Sequence, residues 1–89
     1  MITTTITIIN TLGLHARASA KFVSLALKFQ SHLEISNGKK TINGKSIMGV
    51  MTLAATQNTI LEMNIEGPDE ESMTLALVTL IQNRFDEPS

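Results

Sequence analysis

The sequence lacks cysteine, tryptophan and tyrosine altogether, and it has only two prolines among 89 residues. Without cysteine the protein can form neither a disulfide nor a thiolate metal site, and it has no cysteine nucleophile. A small domain without such cross-links depends on a well-packed apolar core for its stability. Because three phenylalanines are the only aromatic residues, the chain also has few platforms on which nucleic-acid bases could stack.

The chain also has no excess of positive or negative charge: it contains seven Lys and Arg and eight Asp and Glu, and its formal net charge is −1. A nucleic-acid-binding domain typically gathers a basic excess on one face, so no nucleic-acid partner is expected. No apolar run approaches the roughly 18 residues of a membrane span, and the N-terminus lacks the basic segment of a secretory signal. We therefore expect a cytoplasmic protein, without membrane insertion, that forms a single domain over residues 1–89.

The hydrophobic pattern alternates between the period of a strand and that of a helix. Apolar residues at every second position predict four strands, near residues 5–8, 33–36, 40–42 and 61–66. Apolar residues three or four apart predict three helices, near residues 16–29, 47–53 and 68–81. The pair Asn37-Gly38 between the second and third strands is typical of a two-residue type I′ hairpin turn.

The predicted element order is therefore β-α-β-β-α-β-α. Because these elements are apolar on one side only, the economical architecture is an α+β fold with two layers, an open-faced β-sandwich. Its four-stranded antiparallel sheet would carry all three helices on one face. The long connection through the first helix leaves room for the last strand between the first two, which predicts the sheet order 1-4-2-3.

The segment Gly13-Leu14-His15-Ala16-Arg17 places a histidine and an arginine where a turn leads into the first helix. The first N–H groups of a helix lack intrahelical acceptors, and the helix dipole favours an anion at the same place. Arg17 could add a forked donor to a phosphate, and neutral His15 is a nucleophile. Two interpretations stay open from these residues alone: a phosphoryl acceptor in an anion-binding cradle, or a histidine that only caps the helix beside a solvent-facing arginine.

Two motifs resemble those of the HPr family, the histidine-containing phosphocarriers of the phosphoenolpyruvate-dependent phosphotransferase system. They are Asn10-x-x-Gly13-Leu14-His15-Ala16-Arg17 and Lys45-Ser46-Ile47-Met48-Gly49-Val50-Met51. The resemblance covers essentially the whole chain. It implies that phosphorylated enzyme I transfers a phosphoryl group to Nδ1 of His15, which passes it to an enzyme IIA. It also implies that the backbone amides of Ala16 and Arg17, with the Arg17 side chain, stabilise that group.

The resemblance implies that the protein is a monomeric substrate of enzyme I and not a stand-alone catalyst. Neither a cofactor nor a metal is expected. Ser46 has two compatible roles. Its position before a short helix is typical of an N-cap, and the resemblance implies that it is also the target of HPr kinase/phosphorylase where that enzyme occurs.

The apolar residues after Ser46 also have two interpretations. Composition alone favours core positions for at least half of them. The resemblance implies instead that they flank a docking surface for enzyme I and enzyme IIA, formed by Ala20, Lys21, Ser24, Ile47, Met48 and Met51.

One position departs from the family pattern, because Ala18 stands where HPr proteins usually have proline. Proline at the third helical position would remove an N–H that has no helical partner and would stiffen the helix entry. Phosphotransfer should survive this change, but close equivalence with the sugar-uptake proteins is in doubt. The alternative is a regulatory binding module whose phosphorylation at His15 and Ser46 selects partners, without sugar transport; a third hypothesis is an interaction domain with an inert His15.

Overall fold

The computed structural model describes all 89 residues, in seven regular elements followed by a short 3₁₀ turn. The strands are β1 (Ile2–Thr7), β2 (His32–Ser36), β3 (Thr41–Asn43) and β4 (Ile60–Glu66). The helices are α1 (Ala16–Ala26), α2 (Ile47–Thr52) and α3 (Glu70–Gln82), and the 3₁₀ turn spans Arg84–Asp86. No helix is both long enough and apolar enough to cross a membrane.

The four strands form one antiparallel sheet in the order β1-β4-β2-β3. The central strand β4 pairs with β1 through Ile65 opposite Ile2, and with β2 through Met63 opposite Ile35. Alternate residues of β4 are buried while Glu62 between them is exposed, so the helices cover one face and the other stays open. The predicted α+β fold class and sheet order are confirmed.

One cluster of 19 buried hydrophobic residues joins the sheet to the helical layer. Helix α1 contributes Ala18, Phe22, Val23 and Ala26, and helix α3 contributes Met73, Leu77 and Ile81. Helix α2 buries only Val50, and Phe85 of the 3₁₀ turn is fully buried as well. This core reaches from the first strand to the C-terminal end, so it also fixes the segment that follows α3.

The turn between β2 and β3 differs from the prediction. The connection runs over residues 37–40, and Gly38 has a φ of 89° while Asn37 does not have a positive φ. The Asn37 side-chain oxygen instead accepts hydrogen bonds from the amides of Lys39 and Lys40, at 2.9 Å each. The predicted two-residue type I′ turn is therefore wrong, because an asparagine side chain can organise a longer turn by itself.

Both long helices also differ at one end from the predicted bounds. Helix α1 ends at Ala26, and the amides of Lys28 and Phe29 then bond to carbonyls three residues back, which tightens the last turn. Helix α3 begins at Glu70, two residues after Pro68. Asp69 lies outside the helix, and its carboxylate accepts hydrogen bonds from the backbone amides of Gln30 and Ser31, at 2.9 Å each.

Candidate functional site

The turn before α1 holds the chain close to the loop that follows α2. Gly13 has a φ of 67°, and a Cβ added to it would lie 2.4 Å from the carbonyl oxygen of Ala55. The next amide, that of Leu14, donates to the same carbonyl at 2.8 Å. Only glycine combines this left-handed backbone with so close an approach, and the result is a fixed entry into the helix.

His15 is the N-cap residue of α1, with extended backbone dihedrals (φ −72°, ψ 179°). Its carbonyl accepts from the amide of Ser19 at 2.9 Å, the first hydrogen bond of the helix. No side chain caps the first turn, and no acidic residue lies in it. The amides of the first three helical residues therefore have no intrahelical acceptor. The capping interpretation is confirmed for the position of His15, but its side chain caps no amide, and the free amides leave a place for an anion beside the imidazole.

The imidazole of His15 is held by a residue from the far end of the chain. Its Nε2 is hydrogen-bonded to Oε2 of Glu87, and the side chains of His15 and Glu87 are 28% and 11% exposed. The other oxygen of Glu87 accepts from Nδ2 of the fully buried Asn10 at 2.9 Å. The same Nδ2 donates to the carbonyl of Gly13 at 2.9 Å. This network engages one imidazole nitrogen and leaves Nδ1 without a hydrogen bond.

Glu87 is a charged partner in this network. Burial alone would raise the pKa of its carboxyl, but the hydrogen bonds from Asn10 and His15, and the charges of His15 and Lys21, outweigh burial and lower that pKa below its usual range. The carboxylate is thus ionised at neutral pH. An ionised carboxylate can only accept hydrogen bonds, so the Nε2 of His15 must be the donor.

Glu87 belongs to a segment that we call the C-terminal clasp, residues 84–89. Arg84, Phe85 and Asp86 all have left-handed φ values, of 57°, 54° and 64°. The clasp is fixed by the buried Phe85 ring, by Lys21 Nζ, which donates to the Phe85 carbonyl at 2.9 Å, and by a longer bond from the Thr11 amide to Ser89. Sequence reasoning missed this segment, because none of the three left-handed residues is a glycine or an asparagine that would have signalled the turn.

Arg17 and Ala16 occupy the first two helical positions, as predicted, and both are exposed. Arg17 lines a shallow groove along α1 together with Ala20, Lys21 and Ser24. Three of the predicted docking residues are thus brought next to Arg17, although the amino group of Lys21 is engaged by Phe85.

Ser46 is the N-cap of α2, since its Oγ accepts from the amide of Gly49 at 3.1 Å. The predicted capping role is therefore present. Ile47, Met48 and Met51 follow it on α2 with 43%, 79% and 45% of their surfaces exposed. The interpretation that at least half of them are core residues is wrong, because Val50 alone faces the core and leaves three large apolar side chains at the surface.

Comparison with known proteins agrees with this geometry. A family model described as the PTS HPr component phosphorylation site matches residues 2–83. Phosphocarrier protein HPr of Xylella fastidiosa is 50% identical over 82 residues, covering 92% of both chains. The same protein of Pseudomonas aeruginosa is 52% identical over 83 residues, again 92% of both chains. A crystal structure of HPr from Thermoanaerobacter tengcongensis superposes with a TM-score of 0.95 at 44% identity, covering all of both chains.

These matches place the chain in the class of small phosphocarrier domains. The family match covers nearly the whole chain and the identities are close to one half. The protein belongs to the HPr family of the phosphotransferase system.

Proposed function

We propose that this protein carries a phosphoryl group on His15, accepting it at Nδ1 from phosphorylated enzyme I and passing it to an enzyme IIA. The observation that supports this most strongly is the position of His15 at the uncapped N-terminus of α1, within the matched phosphorylation-site family. The protein then acts as a substrate of enzyme I in the cytoplasm, and it works as a monomer.

The chemistry required of such a carrier is modest. The attacking nitrogen needs a lone pair, and Nδ1 is the imidazole nitrogen that carries no hydrogen bond. The transferred group bears negative charge on its oxygens, and the amides of Ala16 and Arg17 are donors without helical acceptors. The Arg17 guanidinium adds a planar fork that can bind two of those oxygens at once. Positioning and electrostatic stabilisation together account for most of phosphoryl-transfer catalysis.

The docking surface proposed for the protein partners consists of the six residues that the family resemblance implied. Ala20, Lys21 and Ser24 line the groove next to Arg17, and Ile47, Met48 and Met51 expose apolar area on α2, which packs against α1. Methionine adapts its shape to different contacts, which suits a surface that must meet enzyme I and enzyme IIA in turn. Exposed apolar residues next to basic ones are typical of such interaction sites.

The direct test is incubation with phosphoenolpyruvate and enzyme I, followed by intact-mass analysis. Wild type should gain the mass of one phosphoryl group, and the group should be lost in acid and kept in base, as a phosphoramidate is. His15→Ala should gain nothing. The matched control is His32→Ala, which removes the other histidine of the chain, exposed at the start of β2, and should leave phosphorylation intact. Phosphorylation of His15→Ala would contradict the assignment of the acceptor.

Arg17 offers a second test of the same site. Arg17→Lys keeps the positive charge and loses the planar fork, so phosphoryl uptake from enzyme I should be slower than in wild type. The exposed side chain makes no hydrogen bond within the protein, so the free energy of unfolding should change by less than about 0.5 kcal/mol. Unaltered transfer kinetics would show that charge alone is sufficient.

The position of Ser46 supports a regulatory function in addition to the carrier function. Its hydroxyl lies at the N-terminus of α2, where the exposed Ile47, Met48 and Met51 begin, and an HPr kinase/phosphorylase would phosphorylate it there. A phosphate adds about −1.5 to −2 charges at pH 7. That charge would oppose docking of the phosphorylated, anionic donor without unfolding the domain. In the alternative function, a regulatory binding module, the phosphorylation states of Ser46 and His15 select partners and no sugar is transported.

The test compares phosphoryl uptake by wild type and Ser46→Asp at low and high salt. The variant should be slower at low salt, and salt should relieve part of the difference, because a Debye length of about 8 Å screens the electrostatic contribution. Equal rates at low salt would mean that Ser46 is only a helix cap. Capture of partners by the phosphorylated protein separates the two functions, since a transport carrier retains an enzyme IIA and a regulatory module retains other proteins.

A further inference from the structure

The C-terminal clasp contains backbone in an unfavourable conformation, which contacts with the rest of the molecule stabilise. Three consecutive left-handed residues without a glycine are rare, because each brings its Cβ close to the following carbonyl oxygen. Strained backbone of this kind is found where the surrounding structure gives it a use. The buried Phe85 ring and the Lys21–Phe85 hydrogen bond hold the segment in place. This turn places Glu87 at the site, where its carboxylate is hydrogen-bonded to the imidazole of His15.

We propose that Glu87 is a positioning residue for His15. Its carboxylate keeps the ring proton on Nε2, so that Nδ1 presents the lone pair, and it retains that proton on the ring after Nδ1 has been phosphorylated. This inference rests on the proposed carrier function and adds to it a residue from the opposite end of the chain. The hydrogen bond from Asn10 fixes the second oxygen of Glu87, so the carboxylate is itself oriented by a buried side chain.

The proton balance of the transfer step explains why a carboxylate is useful here. The Nδ1 lone pair forms the new bond to phosphorus, and the bond from phosphorus to the donor atom breaks, its electron pair staying with the donor. No proton leaves His15 in this step. The ring therefore becomes a cation with phosphorus on Nδ1 and the proton on Nε2, and Glu87 provides its counter-charge. In the onward transfer the phosphorus–Nδ1 electron pair returns to Nδ1, and the ring departs as neutral imidazole with its Nε2 proton in place.

The other charged groups near the ring do not replace Glu87. Arg17 and Lys21 lie on α1 and are cations, and Lys21 is bound to the Phe85 carbonyl. Asp86 of the clasp lines the same groove, and His15 forms its ion pair with Glu87 and not with Asp86. The turn before α1 presents Asn10, which is neutral. Glu87 is thus the one anion in contact with His15.

Loss of the carboxylate should change a property that a purely structural role would leave alone. Hydrolysis of a phosphorylated imidazole is fast when the ring is protonated, so its pH profile reports the pKa of the phosphorylated ring. In Glu87→Gln the midpoint of this profile should move to lower pH, because the cationic ring loses its counter-charge. Glu87→Asp keeps the charge at a shorter reach and should move the midpoint less. Phosphoryl uptake by Glu87→Gln should fall about 10- to 100-fold, by analogy with the loss seen when the carboxylate partner of a metal-binding histidine is removed.

The control variant is Glu62→Gln, the same substitution at an exposed position of the central strand β4, on the face of the sheet that the helices leave open. It should leave both the midpoint and the uptake rate as in wild type. A Glu87→Gln protein that is folded and phosphorylated with an unshifted midpoint would overturn the proposal.

Nitrogen NMR of the unphosphorylated protein tests the tautomer without any transfer reaction. Wild-type His15 should carry its proton on Nε2 at neutral pH, and a proton on Nδ1 would overturn the role of Glu87. This measurement separates the two proposals. If enzyme I does not phosphorylate wild type, the carrier function fails, while the position of the imidazole proton still decides for or against Glu87.

Discussion

Gly13 is the position at which a single added methyl group should do the most damage to the site. In Gly13→Ala the new Cβ would lie 2.4 Å from the Ala55 carbonyl oxygen and 2.9 Å from Cα of Thr56. Both atoms belong to backbone, so neither can rotate away as a flexible side chain would. The φ of 67° adds a conformational penalty of its own, about 1–2 kcal/mol for a residue with a Cβ.

A second glycine of the chain separates these two effects. Gly38 also has a positive φ, of 89°, but a Cβ there would meet no atom within 4 Å. Gly38→Ala should therefore cost only the conformational penalty of about 1–2 kcal/mol. Gly13→Ala should cost that amount and a further 1–3 kcal/mol or so for forced backbone movement, the usual range for overpacking. In a domain of this size, each kcal/mol lowers Tm by about 4–8 °C.

The assay is thermal and urea unfolding of wild type and both variants, with phosphoryl uptake measured on the folded fraction. Gly13→Ala should be clearly the less stable variant, and its uptake should be impaired because the turn places His15. Gly38→Ala should retain normal uptake, since the hydrogen bonds of the β2–β3 turn are all made within residues 36–40. Equal losses of stability in the two variants would refute the argument that close approach of two backbones fixes the helix entry.

Three further perturbations test other parts of the structure. Ser46→Ala removes the cap on the Gly49 amide and should lower the free energy of unfolding by about 1 kcal/mol in urea denaturation. Phe85→Ala should cost about 3–5 kcal/mol, measured in the same way, and should free the clasp, because the ring is fully buried. Hydrogen bonds from the Ser31 hydroxyl and from the backbone amides that follow α1 lower the pKa of Asp69. The ionised carboxylate therefore stabilises the folded protein fully above the pKa that Asp69 has in the unfolded chain. This contribution is lost as pH falls through the lower pKa of the folded protein. Asp69→Asn should consequently lose stability at neutral pH and show a flatter decline below about pH 5 in acid titrations.

The sheet and the helical layer were predictable because they follow from periodicity. Apolar and polar residues alternate along β4, which puts Leu61, Met63 and Ile65 on the same face and identifies that face as the buried one. The position of His15 at a helix start was predictable from the local segment, and the resemblance to the HPr family pointed to its chemistry. Local pattern and long-range packing agree in these elements.

The clasp was not predictable, since its conformation is set by contacts between residues that are far apart in sequence. Arg84 and Phe85 have no intrinsic preference for left-handed backbone, and burial of the Phe85 ring decides their conformation. The same holds for the β2–β3 turn, where the side chain of Asn37 overrides the usual meaning of an Asn-Gly pair. In both places a specific side-chain contact outweighs the backbone preference that a sequence pattern reports.

The pairing of His15 with Glu87 also bears on the order in which the molecule folds. The two residues are separated by 72 positions in the sequence. Strand β1 likewise pairs with a strand that is distant in sequence, since Ile2 lies opposite Ile65 of β4. Contacts this distant in sequence form late, because the entropy of closing the intervening loop comes before any gain from the contact. We expect the reactive imidazole to acquire its partner only once the sheet and α3 are assembled. An immature or partly unfolded chain would then expose His15 without Glu87, so the phosphotransfer proposed for His15 would require the completed fold and not only the helix that carries the histidine.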